Sequence, residues 1–157
     1  MVKTGKEKGS MMRFFTIPLV AALTLGSLIM DAWAQSGPKL PPELQKTAET
    51  VIGGQISAFR AGDHEQAYSY AAPSIRQIFG STDRFIGMVK KGYGPIYGAR
   101  NWSFGRGEAR GDALVQEVLL VGPQGRDWVA LYTLRKQADG SWRIAGVQMK
   151  PAELQST

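Results

Sequence analysis

The chain contains no cysteine and a single histidine, His64. Disulfides, thiolate metal sites and cysteine nucleophiles are therefore excluded, and one histidine cannot build a multi-histidine metal site. His64 also follows Asp63 at a helix start, where exposed polar residues are common. No Gly-x-Ser-x-Gly segment supplies a nucleophile elbow, and Gly92-x-Gly94 lacks the strand context of a phosphate loop. The chemistry left is hydrogen bonding by neutral groups in apolar surroundings. Gln116, Tyr132 and Gln148 are the candidates, with Tyr68, Tyr97 and Trp128 able to join them. Such a set suits a small-ligand pocket with apolar walls and few polar contacts. Backbone and water could satisfy the same groups. No metal and no cofactor is implied.

Those residues need a sheet and helices to hold them. Pro41-Pro42 opens a helix, and Leu44, Ala48, Val51, Ile52, Gln55, Ile56 and Phe59 form one stripe at helical spacing. Gly53-Gly54 inside that stripe costs helix stability and points to close approach of a neighbouring element. Ala61-Gly62 ends this helix. Asp63 and Gln66 form a capping box for a second, reaching about Ala72 before Pro73, with Ser74 to Phe79 one further turn. Gly80-Ser81 introduces a third, with Phe85, Met88 and Val89 inward, closed by Gly92, Gly94 and Pro95. From Arg100 the period becomes two. A strand around Trp102 and Phe104 precedes strands at Leu114–Val121, Asp127–Lys136 and Ser141–Met149. Two three-residue loops, Pro123-Gln124-Gly125 and Ala138-Asp139-Gly140, join the last three. The expectation is an α+β domain of three N-terminal helices packed on a curved four-stranded antiparallel sheet.

Loop length sets register. It pairs Leu120 with Trp128, Val118 with Ala130, Gln116 with Tyr132, Leu134 with Ile144, Tyr132 with Gly146 and Ala130 with Gln148. One face then carries the candidate pocket residues Gln116, Tyr132, Gln148 and Trp128, with Gly146 leaving space beside Tyr132. The other face carries Leu119, Val129, Leu131, Val147 and Met149. Helices can cover one face only, yet both are apolar. A second copy of the chain is expected on that other face, making a homodimer through the sheet.

The N-terminal segment reads as an export signal. Lys3, Lys6, Lys8 and Arg13 precede an apolar stretch from Phe14 to Met30, and Ala32-Trp33-Ala34 is a small-x-small cleavage site. Met11 and Met12 are alternative starts. An uncleaved anchor is the alternative, although the stretch falls short of the roughly 20 apolar residues that cross a bilayer. The divisions are residues 1–34 as signal, 35–41 as linker, 42–150 as the domain and 151–157 as a tail. Losing Lys3, Lys6, Lys8, Arg13, Glu7 and Asp31 from 19 basic and 13 acidic residues lowers the net charge from +6 to +4. The remaining charge is spread along the chain and is no nucleic-acid footprint. The setting expected is the periplasm or outside the cell, with membrane contact only through the signal before cleavage.

Several segments carry a resemblance. They are Gln55–Asp63, Ala67-Tyr68, Ala71-Ala72-Pro73-Ser74-Ile75-Arg76, Phe79-Gly80, Tyr93-Gly94-Pro95-Ile96-Tyr97 and Asp139-Gly140-Ser141-Trp142-Arg143-Ile144. Together the chain resembles the nuclear-transport-factor-2-like superfamily, and within it a bacterial exported family of unassigned function. The resemblance implies a cone-shaped, cystatin-like fold, a pocket between helices and sheet, and dimers through the sheet. The superfamily includes isomerases, dehydratases and domains without catalysis, so it assigns no function. Acid–base chemistry needs a pocket carboxylate or histidine, and the helix-facing set has none, since Glu117 lies on the other face. The leading expectation is a non-catalytic domain with a small-molecule pocket. Alternatives are an acid–base enzyme using that pocket and an envelope interaction module presenting Arg60, Arg76 and Lys90-Lys91.

If the signal is cleaved as expected, intact-mass measurement of the exported product will show a chain beginning at Gln35. A product retaining Phe14–Met30 would contradict this.

Overall fold

The computed structural model describes residues 40–153. The signal segment, nearly all of the linker and the last tail residues lie outside the described residues. Among the described residues no helix is long and apolar enough to cross a membrane.

Helix α1 runs Pro42–Ala61 and buries Ala48, Ile52, Gln55, Ile56 and Phe59 along one stripe. Gly62 takes the left-handed conformation at φ 70°, and its N–H donates to the Ala58 and Phe59 carbonyls. This is the usual glycine stop of a helix. The Gln66 N–H donates to Asp63 Oδ1 at 3.0 Å, capping α2, His64–Ser69. Helix α2 stops short of Ala72 because β4 captures the chain that follows. Ala71 forms a parallel bridge with Ile144. The Ile144 N–H donates to the Tyr70 carbonyl at 2.9 Å, and the Ala72 N–H donates to the Ile144 carbonyl at 2.8 Å. Pro73 then starts α3, Pro73–Phe79, and Ser81 caps α4, Thr82–Gly92. Helix α5, Gly94–Tyr97, completes the set. Helices α1, α2 and α4 are the three expected, α3 is the further turn expected over Ser74 to Phe79, and α5 is a short addition.

Strands β1 (Asn101–Arg110), β2 (Ala113–Val121), β3 (Asp127–Lys136) and β4 (Trp142–Pro151) form one open antiparallel sheet in the order β1-β2-β3-β4. Gly125 and Gly140 sit at φ 76° and 82° in the two expected three-residue loops. The β2–β3 register is the one that loop length dictates: Leu120 faces Trp128, Val118 faces Ala130 and Gln116 faces Tyr132.

Strand β4 departs from expectation past Ile144. Leu134 still pairs with Ile144, but Thr133 pairs with Gly146, so Ala145 is an extra residue in β4. Such a bulge turns every later side chain to the opposite face. Val147 therefore faces Tyr132, Met149 faces Ala130, and Gln148 pairs with Leu131. Three expectations are corrected: Gln148 leaves the helix-facing side, and Val147 and Met149 leave the outer face. Gly146 likewise pairs with Thr133 rather than Tyr132. A second bulge lies in β1 between Phe104 and Gly107.

The core lies between the helices and one sheet face. Ile52, Ile56, Phe59, Phe85 and Val89 pack there with Leu114, Val118, Leu120, Ala130, Leu134 and Ile144. On the outer face Leu119 is 44% exposed and Leu131 41% exposed.

The glycine pair in α1 marks close approach, as expected. A Cβ on Gly53 would meet the Phe104 and Trp102 rings at ordinary contact distance, whereas one on Gly54 would overlap the Tyr70 ring. The two glycines should therefore respond oppositely to alanine. Gly53→Ala should stabilise by about 0.5–1 kcal/mol through helix propensity. Gly54→Ala should melt below wild type because Tyr70 must move. Thermal melts decide it; equal shifts would contradict the packing described.

Candidate functional site

Between the helices and β3–β4 lies an open cavity of about 300 Å³. Phe59 and Gln55 of α1, Ile75, Ile78 and Phe79 of α3, and Phe85, Met88 and Val89 of α4 line it from the helical side. Tyr132, Ile144, Gly146 and Val147 form its sheet side, with Tyr93 and Ile96 at the α4–α5 junction. Among the described residues none that lines it carries a charge. Ile78 is 74% exposed and stands at the solvent side.

Polar groups along the lining are mostly occupied. Gln55 Nε2 donates to the Ala67 carbonyl at 3.2 Å, and the Tyr93 hydroxyl donates to the Val147 carbonyl at 3.1 Å. Tyr132 differs. It is fully buried, and its hydroxyl has no hydrogen-bond partner among the described residues. Burial pushes the phenol above its ordinary pKa, because the phenolate would be desolvated. The group therefore stays a neutral hydroxyl able to donate.

Of the sequence-derived pocket candidates, Tyr132 alone lines the cavity; Val147, expected on the dimer face, lines it as well. Gln116 is its cross-strand partner and is also fully buried, but its amide serves the β1 bulge. Gln116 Nε2 donates to the Gly105 carbonyl at 3.1 Å, to that of Arg106 at 3.4 Å and to that of Glu117 at 2.9 Å. A bulge frees carbonyls from the ladder, and Gln116 collects them; its Oε1 has no partner among the described residues. Gln148 lies on the outer face and is exposed. The Tyr68 hydroxyl donates to the Arg76 carbonyl at 2.8 Å, joining α2 to α3. The Tyr97 hydroxyl lies 3.0 Å from His64 Nε2, and Lys90 Nζ sits 5.0 Å from the centre of its ring. Trp128 lines a separate depression together with Trp102, and the Arg126 guanidinium lies over its ring at 5.5 Å. Among the described residues no group of three or more His, Cys, Asp or Glu could hold a metal ion.

Gln55 and Tyr93 belong to the site although sequence reasoning does not single them out for it. Gln55 carries a signal, since it interrupts an otherwise apolar stripe on α1. Tyr93 and the α3 residues depend on where short helices pack, which local pattern does not encode.

Fold and cavity together define an α+β domain whose helices cover one face of an open antiparallel sheet. The family described as "Domain of unknown function (DUF4864)" matches residues 42–157, and the chain belongs to it. No curated protein and no solved structure matches.

The two buried polar partners should respond oppositely to apolar substitution. Tyr132→Phe removes an unpaired hydroxyl and should raise stability by about 1 kcal/mol or more. Gln116→Leu strips the amide from three carbonyls and should lower it by about 1–3 kcal/mol. Denaturant midpoints check both; a destabilising Tyr132→Phe would show that the hydroxyl is satisfied.

Proposed function

We propose that this domain is a non-catalytic binding module for a small apolar molecule, exported from the cytoplasm and working as a dimer. The cavity carries the reading. About 300 Å³ of uncharged space opens between helices and sheet, at the low end of the roughly 300–1,000 Å³ range of ligand sites. Among the described residues no carboxylate or histidine lines it, and general acid–base chemistry needs such a group. Helices followed by a bulged, open sheet, with a cavity between them, support the likeness to the cone-shaped nuclear-transport-factor-2-like superfamily. The Lys3–Ala34 segment supports export into the periplasm or beyond.

A second copy of the chain is proposed on the outer sheet face. Leu119 pairs with Val129, and Leu131 pairs with Glu117 two pairs along the same ladder, on the same face. Leu119 and Leu131 are both large apolar side chains left exposed there. An isologous contact through this face would bury them. Without Val147 and Met149 the patch is smaller than the sequence suggests, and it centres on β2 and β3.

Cumene, a neutral apolar probe, tests the cavity by NMR titration. Wild type should bind it saturably. Val147→Phe should fold, with a cooperative melt, yet lose binding. Leu119→Glu should keep binding and reduce the mass measured by light scattering to that of one chain. Absence of cumene binding to wild type would overturn the module reading, and a monomeric wild type would overturn the dimer.

A further inference from the structure

The mouth of the cavity differs in character from its interior. Resting on the reading of that cavity as a binding site, we infer that its ligand is an anionic single-chain amphiphile. The hydrocarbon chain lies in the cavity, and the carboxylate-like head stays in water at a rim carrying Arg84 and Lys91.

The lining residues that meet solvent mark the mouth. Ile75 and Phe79 of α3, Met88 of α4 and Val147 of β4 are half-buried, and Ile78 of α3 is 74% exposed. Apolar surface therefore continues from the interior out to the edge. That continuity suits a hydrocarbon chain, which gains from every apolar contact along its length. The cavity of about 300 Å³ holds about 10 non-hydrogen atoms at the roughly 30 Å³ that one occupies in a liquid such as water.

Charge beside the mouth is nearly all of one sign. Side chains three or four residues apart on a helix are neighbours. Arg84 stands four residues before Met88 and Lys91 three after it, so both flank that lining residue on one stripe of α4. Arg76 stands three residues before Phe79 on α3. All three are exposed, and among the described residues none of their cationic groups has a hydrogen-bond or ion-pair partner. The one carboxylate on α3, α4 and β4 is that of Asp83, about 140° round α4 from Met88. Inside, no described lining residue offers a charge. A carboxylate drawn in would lose its water without gaining a counter-charge. At the rim it keeps its water and gains the attraction of the exposed cations, which is modest for each pair.

Octanoate, 1-octanol and octylammonium test this, since they share a chain and carry a negative, neutral or positive head. Kd values are measured by NMR titration on wild type, on the double variant Arg84→Gln, Lys91→Gln, and on Val147→Phe. The double variant should bind octanoate at least threefold more weakly, within reach of two exposed charge pairs, and 1-octanol within twofold of wild type. Added NaCl should weaken octanoate alone. Octylammonium should bind wild type more weakly than octanoate, and Val147→Phe should lose both octanoate and 1-octanol. Equal weakening of octanoate and 1-octanol in the double variant, or no change in either, would overturn the basic rim. Octylammonium binding as tightly as octanoate would overturn the anionic head. Octanoate still binding to Val147→Phe would place its chain elsewhere and overturn the inference. If octanoate fails on wild type while cumene binds, the inference falls and the module reading stands; if cumene fails as well, both fall.

Discussion

The bulge at Ala145 in β4 governs how the rest of the molecule meets the sheet. Side chains alternate across a strand, so one inserted residue exchanges the faces of all that follow. Here the exchange brings Val147 and Met149 onto the helix side, opposite Tyr132 and Ala130, and turns Gln148 outward. Unbulged, the strand would place an amide two pairs from Tyr132. The bulge puts an isopropyl group beside Tyr132 instead, in a lining shared with Ile144 and Phe85. The bulge thereby keeps the β4 side of the cavity apolar.

The same stretch of β4 anchors the helices. Ile144, just before the bulge, uses its second edge to bond Tyr70 and Ala72. This contact ends α2 early and sets α3 across the cavity's solvent side. The two sheet faces therefore have different fates. One is closed by α1 and α4 around Phe59, Phe85 and Val89. The other keeps Leu119 and Leu131 in contact with solvent.

Much of this is legible in the residues. Loop length and the glycine at 125 set the β2–β3 register, and the Gly53-Gly54 pair announces close packing against α1. The β4 bulge is not legible, because Ala145-Gly146 reads as well in a regular strand as in a bulged one, and the pairing energy that decides between them is non-local. The site follows the same division. The position of Tyr132 can be read from the sequence because its face depends on β2–β3 alone. Gln148 cannot be placed that way because its face depends on the bulge. Gln116 lies on the expected face but plays a different part. It serves a β1 bulge that the alternation of Trp102 and Phe104 gives no reason to expect.

The bulge at Ala145 decides which β4 side chains meet the helices and which meet solvent. A crystal structure of the protein examines it directly. Thr133 should pair with Gly146, and Val147 should lie opposite Tyr132 in the lining of the cavity. An unbulged β4, with Gly146 paired to Tyr132 and Gln148 to Ala130, would contradict it.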